Sequence, residues 1–173
     1  SPFSKVYQAG TSEMFGNSID EDGFQRETTP FKPANPYACA KLFAHQIGIN
    51  YRNAYNLHIS NGILFNHESS RRGHNFVTRK ITNGVAKIYL GLSDYITLGN
   101  LNAIRDWGYA PDYMEGVWLA MQQEISDDYV FSTGIINSIK EHKHLSNKKS
   151  TTRCRRTGKE KSTWRSTTSG NKF

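Results

Sequence analysis

Thr11-Ser12-Glu13 and, beyond a proline-rich stretch, Tyr37-Ala38-Cys39-Ala40-Lys41 are the residues of this chain best suited to chemistry. A phenol and an ammonium four residues apart lie on one face of a helix. A free phenol ionises near pH 10, too high for a base at neutral pH, but a neighbouring ammonium favours the phenolate. The upstream carboxylate offers a second base. Two bases of different strength suit the removal of two different protons from one substrate, the pattern of an oxidation-assisted elimination on a sugar. Tyr-x-x-x-Lys by itself is weak, because nine Tyr and twelve Lys in 173 residues supply about 0.6 such pairs by chance. Its weight comes from the elements around it.

Val6–Ala9 reads as a short buried strand closed by Gly10, so Thr11, Ser12 and Glu13 leave its carboxyl end, where open α/β sheets bind ligands. Gly16, Gly23, Pro30, Pro33 and Pro36 make residues 16–36 a loop. Pro36 then opens a helix with Asn35 as its cap. Ala40, Phe43, Ala44, Ile47 and Tyr51 follow helical spacing and predict a core-facing stripe, with Tyr37, Lys41 and Gly48 at its edge. Cys39, inside this helix, reads as a small buried hydrophobe. Leu57–Phe65 is the next predicted strand, and strand, helix, strand in this order predicts a parallel sheet. Further on, Asn75 is the expected cap of a helix over 76–90 with Val77, Ile81, Val85 and Ile88 inward. Tyr95–Leu98 reads as a strand, Arg105–Gly108 as a loop, Tyr113–Gln123 as a helix and Tyr129–Ser132 as a last strand.

The net charge of +7 suggests nucleic acid until it is located. Ten of the 22 Lys/Arg but only one of the 15 Asp/Glu fall from His142 onward, which leaves 12 basic and 14 acidic side chains, net −2, in residues 1–141. The positive field belongs to the tail, so a DNA-binding body is excluded as the reading of the charge. Leu145, Trp164 and Phe173 are the large apolar side chains of residues 142–173, too few to offset ordering entropy, and disorder is expected there. Ser138-Ile139-Lys140-Glu141 has the form of a capping box that announces a helix. The text that follows lacks helical periodicity, which suggests an out-of-frame tail. Two cysteines do not make a disulfide framework. His45, His58 and His74 lack metal-ligand spacing, as does His142-x-His144 with Cys154, so no metal is expected.

Longer strings carry a resemblance. Thr11-Ser-Glu-Met-Phe-Gly16, Glu27-Thr-Thr-Pro30, Pro36-Tyr-Ala-Cys-Ala-Lys41, Asn61-Gly-Ile-Leu-Phe-Asn-His-Glu-Ser69, Asn75-Phe-Val-Thr-Arg-Lys80, Leu98-Gly-Asn100 and Arg105-Asp-Trp-Gly108 resemble the GDP-mannose 4,6-dehydratase family of extended short-chain dehydrogenases/reductases. The match runs from about Val6 to Glu141. It implies an α/β fold: the C-terminal part of a Rossmann-type parallel sheet with helices, plus part of a small sugar-nucleotide-binding subdomain. It implies a partial catalytic domain over 1–141, a cytoplasmic homo-oligomer when full length, NADP as cofactor and GDP-mannose as substrate. The site residues so implied are Thr11, Glu13, Tyr37 and Lys41 for catalysis, with Tyr37, Lys41, His67 and Arg72 toward NADP. Asn66, Val77, Lys80 and Arg105 are implied for the sugar nucleotide, and the Arg71-Arg72-Gly73 loop for a neighbouring subunit's cofactor.

Departures from the family pattern matter as well. The chain holds no Gly-x-x-Gly-x-x-Gly fingerprint, so the pyrophosphate cradle is missing and a fragment without its cofactor-binding half is expected. Gly10 and Ser70 stand where the family has Ser and Pro. The competing readings are another nucleotide-sugar epimerase or dehydratase, and a noncatalytic remnant. Ser12 before Glu13 argues against the other hexose dehydratases, which put Asp there, and an epimerase needs no second base.

Overall fold

The computed structural model describes residues 4–140 and the backbone of 152–157 and 161–166. Its elements, in chain order, are β1 (Val6–Ala9), a 3-10 turn (Ser12–Phe15), α1 (Pro36–Tyr55), β2 (Ile59–Leu64), β3 (Asn66–Glu68), α2 (Val77–Tyr89), β4 (Thr97–Leu98), β5 (Ile104–Tyr109), α3 (Ala110–Gln122), β6 (Asp128–Phe131), β7 (Ile136–Ser138), β8 (Thr152–Thr157) and β9 (Lys161–Ser166). They fall into two compact units. One comprises the described residues up to His67 with Asp106–Gly134, the other Glu68–Arg105 with the described residues from Ile135 onward.

In the first unit β1, β2 and β6 form a parallel sheet with β2 in the middle, Val6 opposite Ile59 and Asn61 opposite Asp128. The predicted β–α–β unit and the β6 strand are therefore present. All six residues of β2 are buried, as expected for the central strand of a covered parallel sheet. Met14, Phe15 and Ile63 are fully buried, with Phe31, Leu42, Phe65 and Val130 packed against them. Each such side chain contributes about 1.5–3 kcal/mol on burial. Phe15 stacks on Phe31 at 5.1 Å between ring centroids, and Phe31 meets the His45 ring edge-on at 5.0 Å. The core thus sits directly under the turn that carries Glu13.

Helix α1 starts as its sequence predicted. The Asn35 side chain accepts from the Ala38 N–H at 2.8 Å, and Pro36 occupies the first turn. Its buried face is not the expected one. Phe43, Ile47 and Tyr51 are 69%, 40% and 47% exposed, whereas Ala38, His45 and Gly48 are buried. Cys39 is exposed too, not buried. The reason is a polar anchor. Asp128 on β6 accepts from Arg52 of α1 at 3.0 Å and from Asn61 of β2 at 2.9 Å, and lies 3.4 Å from His45 Nε2. Gly48 faces Asn61 so closely that an added Cβ would lie 2.6 Å from the Asn61 Oδ1. Buried polar groups must be partnered, and these partners turn the His45–Arg52 face inward.

Two other boundaries differ from expectation. Arg105–Gly108 lies within strand β5, and α3 begins at Ala110, with Pro111 in its first turn. Asp and Gly disfavour strands, but the Asp106 carboxylate gathers the N–H groups of Thr133 (2.9 Å) and Gly134 (2.9 Å) and the Thr133 hydroxyl (2.8 Å), which fixes the segment from a distance.

In the second unit Ile81, Ile88, Ile96 and Leu98 form the core, with Val77, Val85, Leu101 and Ile139 against it. The predicted inner face of α2 is the observed one. Its cap is not Asn75: Phe76 occupies that position without a side-chain hydrogen bond. Strands β8 and β9 pair antiparallel, and β9 runs beside β4. These twelve tail residues are extended and paired where the sequence suggested no regular structure. The residues after 140, where the capping box at Ser138 announced a helix, lie outside the described residues.

Candidate active site

The carboxyl end of β1 and the first turn of α1 bring Thr11, Glu13, Tyr37 and Lys41 together in the first unit. Thr11 is buried, and its Oγ1 accepts from the Glu13 N–H at 3.3 Å, capping the 3-10 turn. That bond sets the direction in which residue 13 leaves the strand. The Glu13 side chain is held by Asn35, whose Nδ2 donates to Oε2 at 2.7 Å. Because the Asn35 Oδ1 caps α1, its amide orientation is determined from both sides. One residue therefore ties the carboxylate to the start of the helix that bears the phenol two residues later.

Lys41 closes the arrangement. Its Nζ donates to the Ala9 carbonyl at 2.9 Å and lies 5.7 Å from the centre of the Tyr37 ring. The helix is thus stapled to the strand end, and the ammonium sits within cation–π range of the phenol. An ammonium has three donors, so two remain for other acceptors. Tyr37 itself is 53% exposed, its ring presented to solvent beside the ammonium.

Asn66 and His67 follow β2 at the same carboxyl edge of the sheet and are half-buried. The His67 Nδ1 lies 2.9 Å from the Phe65 carbonyl, and its ring stacks on Tyr113 at 5.0 Å and 26°. The remaining sequence-predicted residues belong to the second unit. Arg72 Nε lies 3.0 Å from Glu68 Oε2, and its guanidinium covers the Phe76 ring at 3.5 Å. Glu68 also accepts from the Thr78 hydroxyl at 2.7 Å, tying the Arg71-Arg72-Gly73 loop to the first turn of α2. Val77 packs on the core of that unit, while Lys80 and Arg105 are exposed. Asn35 was legible as a helix cap only; its second bond, to Glu13, has no sequence signal. No group of three or more potential metal ligands occurs among the described residues.

The parallel sheet with its crossover helix has solved counterparts. This chain is similar to dTDP-glucose 4,6-dehydratase from Bacillus anthracis, solved with NAD (TM-score 0.69, 20% identity, 79% of this chain and 43% of that one). It is similar also to RMD from Pseudomonas aeruginosa, solved with NADPH (TM-score 0.75, 19% identity, 82% and 49%). The chain shares the fold of these two proteins, of the α/β class with a parallel sheet. Within that class the model of the family described as GDP-mannose 4,6 dehydratase matches residues 2–172, and the chain belongs to that family. It is 55% identical over 137 residues to the GDP-mannose 4,6 dehydratase of Drosophila melanogaster and 56% identical over 137 residues to that of Homo sapiens. Both alignments cover 79% of this chain, but 34% and 36% of those relatives, so the chain spans about a third of their length.

Proposed function

We propose that this chain supplies the acid–base residues of an NADP-dependent GDP-mannose 4,6-dehydratase. The observation that carries the reading is the Asn35 bridge, which holds the Glu13 carboxylate at the start of the helix bearing Tyr37 and Lys41. Tyr37, as phenolate, takes the proton of the mannose 4-hydroxyl while C4 is oxidised. Thr11 uses its Oγ1 lone pair for the Glu13 N–H and so keeps its own proton to donate to that hydroxyl oxygen. The 4-keto group acidifies C5–H. Glu13, with Oε2 engaged by Asn35, takes the C5 proton on its other oxygen and passes it to the C6 hydroxyl, which leaves as water.

The residues present fit the ribose–nicotinamide end of a dinucleotide: Lys41 keeps two donors for ribose hydroxyls while its third holds the strand end next to the Tyr37 ring. When bound, NADP supplies the hydride acceptor for C4 and the hydride donor for C6. His67 and Arg72 are assigned to the cofactor, and Asn66, Val77, Lys80 and Arg105 to the sugar nucleotide, by their matching strings. Arg72 and Lys80 supply the cationic donors that a phosphate needs.

The test joins this chain to the upstream segment of the Homo sapiens relative and supplies NADP and GDP-mannose. The joined protein is expected to form the 4-keto-6-deoxy sugar nucleotide. Glu13→Gln is expected to keep hydride exchange at C4 and to lose dehydration by about 10²–10⁴-fold. Undiminished 6-deoxy product from Glu13→Gln, or no product from the unsubstituted joined protein, refutes the assignment.

A further inference from the structure

Tyr113 is buried in the first unit, 5% exposed, yet it comes from the exposed-looking start of α3. Three features seat it. Gly108 leaves the space its ring occupies, since a Cβ there would run into the Tyr113 ring carbons. Burial, together with the negative charge of the nearby Asp106 carboxylate (5% exposed), raises the phenol well above its ordinary value, so it stays neutral, although its buried hydroxyl makes no hydrogen bond. The opposite partners of Asp106, Thr133 and Gly134, hold the carboxylate in place. On the seated ring lies the imidazole of His67, 5.0 Å away and near-parallel. A carbonyl only accepts, so the 2.9 Å contact with the Phe65 oxygen makes Nδ1 the donor when the ring is neutral. The lone pair is then on Nε2.

We propose that Tyr113, seated by Asp106 and Gly108, is a positioning residue that holds His67 as the Nδ1–H tautomer with Nε2 as a fixed acceptor. Such an acceptor takes a hydrogen-bond donor of the bound ligand, an amide N–H or a hydroxyl, and rejects a phosphate or carboxylate oxygen. The assignment of a ligand rests on the reading of His67 as a cofactor residue; the tautomer does not. It also gives a physical role to the Asp and Gly of Arg105-Asp106-Trp107-Gly108: both serve the platform under His67.

Nitrogen-15 NMR of this chain, read through the long-range couplings of the His67 ring above its titration range, tests the proposal. The unsubstituted chain is expected to show a single Nδ1–H tautomer. Tyr113→Phe, which keeps the ring, should retain it, and Tyr113→Leu should replace it by a mixture. Gly108→Ala, which displaces the Tyr113 ring without touching His67, should produce the same mixture while the amide spectrum stays dispersed. An Nε2–H tautomer in the unsubstituted chain, or a single unchanged tautomer in both Tyr113→Leu and Gly108→Ala, overturns it. The ligand role of His67 is tested separately, by NADP affinity of His67→Gln in the joined protein. Unchanged affinity there removes that role and leaves the tautomer result standing.

Discussion

Replacing Asp128 by Asn should destabilise the chain at neutral pH and cease to matter in acid. Burial by itself raises the Asp128 carboxyl, but hydrogen bonds from His45, Asn61 and Arg52 outweigh it and hold the group down to about 2, against an ordinary 3.8. One pKa unit corresponds to about 1.4 kcal/mol, so the gap is worth about 2 kcal/mol of folding free energy. The side chain is 18% exposed, and this figure carries only a modest discount for solvent. Because the folded-state value is the lower one, the stabilisation is complete above the unfolded value and disappears as pH falls through the folded one. Asp128→Asn leaves the Arg52 charge half-buried without its counterion, so the loss at pH 7 is expected at about 2–3 kcal/mol. Urea denaturation of both proteins between pH 7 and pH 2 measures it. The difference should stay constant down to about pH 5 and shrink by about 2 kcal/mol on the way to pH 2. A difference equally large at pH 2.5 and pH 7 would refute the linkage and with it the claim that this cluster orients α1.

Further outcomes follow from the same geometry. Gly48→Ala forces a Cβ to 2.6 Å from the Asn61 Oδ1 and should cost about 1–3 kcal/mol in urea melts, while unaltered stability would mean that α1 can lift from β2 freely. Asn35→Ser keeps a capping oxygen but removes the donor to Glu13, so stability should change by less than about 1 kcal/mol. In the joined protein the same variant should lower kcat for dehydration more than it raises KM, and an unchanged kcat would remove the bridge from the mechanism. Lys41→Met removes the staple to the Ala9 carbonyl and the cation over Tyr37, and should abolish oxidation at C4 in the joined protein, as read by reduction of the cofactor.

Local signals were enough for much of this chain. Asn35 before Pro36, the run from Leu57 to Phe65 and the spacing of Val77, Ile81, Val85 and Ile88 are read from neighbours within a turn or a strand, and the structure contains the corresponding elements, the strand being Ile59–Leu64. The return of the start of α1 to the carboxyl end of β1 was also legible, because a parallel β–α–β crossover brings the helix start back to that edge.

What the residues alone decided, then, was the order of elements and the kind of side chains offered at one sheet edge. Tertiary structure decided which face of α1 turned inward, since Phe43, Ile47 and Tyr51 have a helical period but no partner across the sheet, whereas His45 and Arg52 find Asp128 some eighty residues away. It likewise made Arg105–Gly108 part of a strand by pairing β5 between β3 and β7, and fixed Asp106 through hydrogen bonds that reach residues 133 and 134. A hydrophobic pattern states how much surface can be buried; only long-range polar pairing, whose cost is prohibitive when unmet, selects the orientation that is.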